Sequence, residues 1–352
     1  KQDLDTLGRV SKVTDPMGNE TIFTYDPLGR KLTQTDAENH TTRYEYDTAG
    51  RLTAVVEANN ARTEYTYDLA GNKLTQKDAN NNTWHYTYNA MNQLETESDP
   101  LNHTTTYHYN TAGQLTSKQT PNGLTISYSY THRRLTGITH DGTTETFAYD
   151  TLGRKTGMSN TETNITYAYD NLNRLITQTD SIAGRTITYS YDGNGNRTLM
   201  TITSGATTEA VVKYFYDSLG RLARQEDSRT GNYAFNYDAL SRRTNLTYPN
   251  GVKAYYQYDN ASRLIALLNL AADGTTIDGY NYAYNKAGMR TSMTTTGSAL
   301  GSNAGTHSYS YDPTYKLTDA NYPNGRYEHF TYDSVGNRLN LADDKGTTSY
   351  TY

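Results

Sequence analysis

The sequence predicts an all-β fold in which tandem β-hairpins form one long antiparallel ribbon that coils into a spiral or hollow shell. Three observations lead to this prediction. A short aromatic motif recurs along the whole chain at a nearly constant spacing, and the segments between its copies are rich in Thr and Tyr. The sustained 3.6-residue apolar periodicity that marks a helix is missing.

The motif consists of an aromatic residue, any residue, Tyr, Asp, two variable residues, Gly, and Arg or Asn. Its second aromatic residue recurs five times at a step of 21 residues, from Tyr25 to Tyr130, and later steps range from 19 to 27 residues. We interpret residues 1–352 as a single array of about 16 repeats that is truncated at both ends. The motif residues on which this interpretation rests include Tyr25, Asp26, Gly29, Arg30, Tyr44, Tyr46, Asp47, Gly50, Arg51, Tyr67, Asp68, Gly71, Tyr216, Asp217, Gly220 and Arg221.

The repeat length follows from two strands and two turns. In one copy we predict a strand over residues 30–35, a polar turn over 36–40, a second strand over 41–46 and the motif turn after it. Asp favours the first position of a type I turn and Gly the fourth, so Asp-x-x-Gly reverses the chain. At the other end of the hairpin, pairs such as Asn122-Gly123 accept positive φ and predict a tip of different chemistry.

Tyr is the main apolar material of the chain. There are 35 Tyr residues, hydrophobic residues of all kinds make up 34%, and the mean hydropathy is −0.85. Alternation places Tyr44 and Tyr46 on one face of their strand and Glu45 on the other, while Leu32 and Leu52 recur in neighbouring strands. We therefore expect a thin sheet of interleaved Tyr and Leu with hardly any deep core, and a sheet of about 32 strands must curl.

These motifs resemble the YD repeat, also called the RHS repeat. Residues 44–52 match its Tyr-x-Tyr-Asp-x-x-Gly-Arg-Leu pattern in full, and copies cover essentially the whole chain. Departures include Thr131 in place of Asp, with no Gly after it, and Ser241, Ser262 and Tyr315 in place of Gly. We expect these departures to change local turn geometry without abolishing the hairpins.

The resemblance implies a role as well as a fold. Such repeats form hollow β-shells in bacterial Rhs effectors, in the cocoon-forming subunits of insecticidal ABC toxin complexes and in animal teneurins. By this resemblance we expect a non-catalytic structural region of a secreted or cell-surface protein, part of a shell that encloses or presents a C-terminal toxin domain. The core segment with which many members cleave themselves is not recognisable, so no autoproteolytic residue is carried over.

The alternative function is a carbohydrate-binding adhesion module that uses exposed Tyr faces, with the lone Trp84 as a candidate glycan contact. An enzyme is disfavoured because no nucleophile–base pair or converging acid cluster is visible, and no cofactor is predicted. His40 and His103 occupy equivalent turn positions rather than a metal site. The segment Asp192–Asn196 begins like a calcium loop but lacks its later residues.

Charge, cysteine content and strand edges limit the partners. The formal net charge is −5 with both signs interspersed, which disfavours nucleic acid. Cys is absent, which excludes disulfides and thiolate metal sites. No apolar stretch reaches the roughly 20 residues of a membrane span. Unpaired terminal strands predict end-to-end self-association.

Overall fold

The computed structural model describes the backbone of residues 1–352 and the side chains of all but residues 298, 299 and 302. Over these residues it contains 33 strands, and each strand pairs antiparallel with the next one in the chain. A 3₁₀ helix occupies Ser298–Asn303. No helix of the described chain has the length and apolar character that crossing a membrane requires. The predicted all-β class and the tandem-hairpin ribbon are confirmed.

Most strands have five to seven residues, as two short strands per 21-residue repeat require. The first seventeen are β1 (Gln2–Leu4), β2 (Val10–Thr14), β3 (Glu20–Tyr25), β4 (Lys31–Thr35), β5 (Thr41–Tyr46), β6 (Leu52–Val56), β7 (Arg62–Tyr67), β8 (Lys73–Lys77), β9 (Thr83–Tyr88), β10 (Leu94–Ser98), β11 (Thr104–Tyr109), β12 (Leu115–Gln119), β13 (Thr125–Thr131), β14 (Arg134–His140), β15 (Thr143–Tyr149), β16 (Lys155–Ser159) and β17 (Asn164–Tyr169). The remainder are β18 (Leu175–Asp180), β19 (Arg185–Tyr191), β20 (Arg197–Ser204), β21 (Thr207–Tyr216), β22 (Leu222–Asp227), β23 (Gly231–Tyr237), β24 (Arg243–Thr247), β25 (Lys253–Tyr258), β26 (Leu264–Leu270), β27 (Thr276–Tyr284), β28 (Arg290–Thr296), β29 (Gly305–Tyr311), β30 (Leu317–Asn321), β31 (Tyr327–Tyr332), β32 (Arg338–Asp343) and β33 (Gly346–Ser349).

The chain forms two compact units. Unit 1 contains residues 1–86 and 252–352, and unit 2 contains residues 87–251. Unit 1 therefore brings together two segments that lie far apart in the sequence.

The motif turn is a type I turn followed by a left-handed residue. The Gly50 N–H donates to the Asp47 carbonyl at 3.0 Å, and the Asp47 N–H donates to the Arg51 carbonyl at 3.0 Å. Gly50 has φ 86°, and the strand register shifts between Glu45 and Tyr46. This is the bulged hairpin turn in which Gly adopts positive φ without steric cost.

Several turns at the opposite end of the hairpins use the same backbone as the motif turn, although their side chains differ as predicted. At Pro121-Asn122-Gly123 the Thr120 N–H donates to the Leu124 carbonyl at 2.9 Å, and the Gly123 N–H donates to the Thr120 carbonyl at 2.9 Å. The left-handed residue is Gly123, with φ 85°. Loop length selects this turn at both ends of the hairpin, and the Asn-Gly pair only supplies its left-handed residue.

The predicted alternation of faces holds, but the Leu positions divide into two sets. Tyr44 and Tyr46 are partly buried, and Leu52 pairs with Tyr46 on their face. Leu32 comes one residue after the partner of Tyr25, so it lies on the opposite face and is 37% exposed; Leu74 is displaced in the same way. The interleaving of Tyr and Leu is therefore wrong for Leu32 and Leu74, because a one-residue offset moves a strand side chain to the other face.

A small residue is buried where charged side chains of the two neighbouring strands form ion pairs above it. Ala54 is fully buried and pairs with Glu45 on one side and Glu64 on the other. Arg62 joins these carboxylates, with Nη1 2.6 Å from Glu45 and Nε 2.8 Å from Glu64. The described buried hydrophobic residues are Ala54, Ala210, Val212, Leu246, Ala254, Ala320 and Phe330.

Three repeats carry extra residues and remain hairpins. Extra residues near 205 and 273 lengthen the flanking strands, so β21 reaches ten residues and β27 nine, while the turns stay short. The third repeat has a longer tip over residues 297–304, between β28 and β29, which contains the 3₁₀ helix. The side chains at 298, 299 and 302 lie outside the described residues.

Candidate functional site: the repeat clamp and the seam

The motif Asp closes its own turn with both carboxylate oxygens. Asp47 Oδ1 accepts the Arg51 N–H at 2.9 Å, and Oδ2 accepts Nε of the Arg51 side chain at 2.7 Å. The Arg51 backbone N–H is the largest influence and lowers the pKa of Asp47; burial opposes this shift and the Arg51 side chain reinforces it. The same pair of bonds occurs at Asp5, Asp26, Asp150, Asp170, Asp217, Asp238 and Asp259.

The motif Arg also reaches the next repeat. Arg30 binds its own Asp26 through Nε at 2.6 Å, while its Nη1 donates to the Asp47 carbonyl at 3.0 Å. Its guanidinium lies 4.9 Å from the centre of the Tyr46 ring. We call this arrangement of Asp, Arg and the following Tyr the repeat clamp. Other copies occur at Arg9, Arg51, Arg154, Arg174, Arg221 and Arg263.

The second Tyr of each motif binds back to the preceding hairpin. The hydroxyl of Tyr46 donates to the Lys31 carbonyl at 2.9 Å, and that of Tyr67 donates to the Leu52 carbonyl at 2.7 Å. Tyr25 and Tyr216 make the same bond. A partly buried Tyr hydroxyl needs a hydrogen-bond partner, and here that partner is a carbonyl of the preceding hairpin. The bond therefore holds one repeat against its neighbour.

Variants of the motif keep parts of the clamp. Asn72 donates from Nδ2 to Asp68 Oδ2 at 2.8 Å, and Gly71 has φ 92°. Gln93 replaces Arg and still donates to the next turn, at the Gly113 carbonyl, at 3.1 Å. The turn therefore tolerates several polar partners for the motif Asp or Asn.

Within unit 1, turns from opposite ends of the hairpins meet edge to edge. Residues 36–40 and 78–82 lie on one side of this contact, and residues 285–288, 312–316 and 333–336 lie on the other. We call it the seam. Its hydrogen-bonded residues are separated by 248 to 279 positions in the sequence, so it joins repeats that are not neighbours.

Tyr315 is the main aromatic contact of the seam. Its hydroxyl donates to Asp36 Oδ2 and lies 3.2 Å from His40 Nδ1, and the two rings pack edge to face at 5.3 Å. Burial raises the pKa of Tyr315, and the bond to Asp36 reinforces the shift. Beside it, Glu38 Oε1 accepts the Lys286 N–H at 2.6 Å.

A second set of contacts lies along the same seam. Asn80 donates from Nδ2 to Asp333 Oδ2 at 2.8 Å. A polar cavity of about 360 Å³ adjoins it and is lined by residues that include Asn59, Lys77 and Ser334. The seam is therefore polar and leaves room for water.

Tyr315 is a functional residue that sequence reasoning missed. It stands where the motif has Gly and adopts φ 65°, a conformation that is strained for a residue with a side chain. The sequence marked it only as a departure from the motif. The seam contact to Asp36 and His40 explains why a bulky side chain occupies this position.

The other singled-out residues lie in ordinary repeat positions. Trp84 is partly buried on the face of Tyr86 and pairs with Gln76, and its role as a glycan contact stays a prediction. His103 Nδ1 lies 2.9 Å from Asp99 Oδ2 in its own turn. The Asp192 carboxylate accepts turn N–H groups, including that of Asn196 at 2.8 Å.

Comparisons with known proteins agree with this architecture. A family model described as the teneurin YD-shell matches residues 1–223 and again 182–352. No curated protein matches the chain. Among solved structures, TcdB2-TccC3 without its hypervariable C-terminal region is similar with a TM-score of 0.77 and 14% identity, over 98% of this chain and 23% of that one. A Tc holotoxin pore from Photorhabdus luminescens has a TM-score of 0.75 and 14% identity, over 99% of this chain and 23% of that one.

These similarities show a shared fold. The chain spans about a quarter of the length of the structures that it matches.

Proposed function

Because the chain belongs to the teneurin YD-shell family and is a structural shell domain, we propose that it is a non-catalytic wall segment that encloses or presents a C-terminal toxin domain of its parent protein. The seam is the observation that carries this proposal. A wall must join separate passes of the ribbon, and the repeat clamp alone joins only neighbours. Tyr315, Glu38 and Asn80 supply the joins between distant repeats.

The similar structures support the identity of the enclosed partner. TccC3 has a hypervariable C-terminal region, which is absent from one of those structures. By analogy, a variable domain follows the shell region of the parent chain here. We further propose that the parent is exported, as a toxin or cell-surface protein would be.

Limited proteolysis of the full parent protein tests enclosure. With the shell folded, we expect the C-terminal domain to resist protease while the same domain expressed alone is digested. Unfolding the shell with urea should remove the protection. Equal digestion of the enclosed and isolated domains would contradict the proposal.

The remaining partner hypotheses stay predictions. The partial burial of Trp84 gives no support to glycan binding on the Tyr faces. End-to-end self-association through terminal strands is tested by the dependence of sedimentation on protein concentration.

A further inference from the structure

One histidine of unit 1 is buried without a hydrogen-bond partner. His307 lies in β29 and is only 9% exposed, and within the described residues neither Nδ1 nor Nε2 of its ring has a partner. By contrast, the Nδ1 atoms of His40, His103 and His329 each lie within 3.2 Å of an oxygen. A neutral imidazole has one N–H donor and one acceptor nitrogen, and burying both unpaired is unfavourable. His307 is therefore a candidate ligand for something other than a protein hydrogen bond.

Two neighbouring hydroxyls that could serve His307 are bonded elsewhere. The Tyr322 ring packs edge to face against the imidazole, with 5.6 Å between the ring centres, but its hydroxyl donates to Glu328 Oε2 at 2.9 Å. Thr295 is buried in the adjacent strand β28, and its hydroxyl donates to the Asn303 carbonyl at 2.9 Å. The polar side chains around His307 therefore leave its ring nitrogens unsatisfied.

The side chain directly opposite His307 is a thioether. Met293 of β28 pairs with His307 in the strand register and is half-buried on the same face of the sheet. Directly opposite residues of an antiparallel pair have Cβ atoms about 4.5–5.5 Å apart. Bonds from a metal ion to imidazole nitrogen and to sulfur are about 2.0 and 2.3 Å, so one ion between the two side chains would span about 4.3 Å. The register thus sets the two ligand atoms at a separation that a single ion can bridge.

We propose that Met293 and His307 bind one soft monovalent metal ion of the class of Cu(I) and Ag(I). Thioethers select Cu(I) and imidazole is a good copper ligand, whereas Ca²⁺ and Mg²⁺ require several oxygen ligands. The ion takes the unprotonated nitrogen of His307, which has no other partner. Tyr282 lies opposite Met293 on the far side of β28, and Tyr322 lies against His307, so aromatic rings that favour a cation flank the pair.

Titration of the whole chain with silver nitrate in chloride-free buffer tests the proposal, because Ag(I) needs no protection from oxidation. Methionine methyl groups labelled with ¹³C report the ligand by NMR, and Met293→Leu identifies the Met293 signal by removing it. We expect the Met293 signal to shift first and to saturate at one equivalent of Ag(I). Met17 and Met91, which are 46% and 58% exposed, should respond only after that site is filled. Signals of the exposed methionines that move before that of Met293, or together with it, would overturn the proposal.

Two variants separate the pair from the other methionines. His307→Phe keeps a ring and removes both nitrogens, and it should weaken Ag(I) binding in calorimetry by about tenfold or more, since even losing a group that orients a metal ligand costs about 10–100-fold. Met293→Leu nearly conserves volume and should weaken binding as much while the chain stays folded by circular dichroism. Met200→Leu is the matched control, because Met200 is half-buried but pairs with Tyr189 instead of a histidine, and it should bind Ag(I) like the unaltered chain. Unchanged affinity in His307→Phe and Met293→Leu, or an equal loss in Met200→Leu, would contradict the site.

Discussion

Two turns that share the same backbone conformation contact different parts of the chain. In the turn Asp47–Arg51 the left-handed residue is Gly50, and Arg51 links its own Asp to the next repeat. In the turn Asp312–Lys316 the same bonds form, but Tyr315 takes the left-handed position and contacts Asp36 across the seam. The left-handed position, which Gly occupies in most motif turns, can therefore also carry a side chain that contacts a distant repeat.

Acid should lower the stability of the fold more than any single substitution, because it protonates the Asp carboxylates of all repeat clamps together. The N–H of the Arg four residues later is the first cause of the lowered pKa of Asp47, Asp170 and Asp217. A carboxyl whose pKa is lower in the folded chain contributes its full stability above the unfolded pKa of about 3.9 and loses it as pH falls through the folded value. We expect the urea midpoint to be constant from about pH 7 to pH 5 and to fall below about pH 4. An unchanged midpoint at about pH 3 would show that the clamps contribute nothing.

Loss of one clamp Arg should be the largest single-residue effect. Arg51→Ala removes the bond to the Asp68 carbonyl and the contact with the Tyr67 ring, 5.0 Å away, and should cost about 2–3 kcal/mol of local stability. Arg51→Lys should lose less stability than Arg51→Ala, because an ammonium keeps the positive charge. It should still lose some, because an ammonium cannot bond to both repeats at once. Hydrogen exchange over residues 62–72 measures both. Equal protection in the Ala variant and the unaltered chain would contradict the clamp.

Replacing Tyr315 by the motif Gly should destabilise the chain even though it restores the consensus. The change relieves about 1 kcal/mol of left-handed strain but loses a ring contact and a bond to Asp36, for a net loss of about 1–2 kcal/mol. Hydrogen exchange of residues 36–40 measures this loss. Ser241→Gly is the matched control, since Ser241 has φ 63° and lies in unit 2, outside the seam. It removes a 3.3 Å bond from Arg221 to the Ser241 hydroxyl, and because the relief of left-handed strain offsets that bond, the variant should be near neutral. If both variants are stabilising, Tyr315 has no energetic role in the seam.

The Tyr hydroxyl bond should give the smallest effect. Tyr67→Phe keeps the ring and removes only the bond to the Leu52 carbonyl, so we expect a loss of about 1 kcal/mol in urea unfolding. Tyr327→Phe alters an exposed ring, 44% accessible, and should leave the midpoint unchanged. Identical midpoints for the two variants would show that the hydroxyl bond does not stabilise the repeat.

Local features of the repeat could be predicted from the sequence. The strand Thr41–Tyr46 lies where it was expected, because Thr and Tyr alternate between two turn signals. The motif Asp was placed at the head of a type I turn for a sound reason, since its carboxylate accepts turn N–H groups. The strand face predicted for Leu32 was wrong, because the bulge shifts the strand register by one residue.

Contacts beyond the repeat could not be predicted in the same way. The partner of Arg51 is a carbonyl 17 residues away, although the recurrence of Arg four residues after Asp was a usable signal. The seam joins residues up to 279 positions apart, and periodicity carries no information about such a distance. The only sign of it was a Tyr at a position that favours Gly.

A pair of engineered cysteines tests the seam most directly, because the chain has no Cys of its own. Asn80→Cys combined with Asp333→Cys places two thiols where the native side chains hydrogen-bond at 2.8 Å. A short bismaleimide should then form a cross-link within one chain, absent from either single variant and absent in urea. Cross-links only between chains, or none under native conditions, would contradict the edge-to-edge joining of distant repeats.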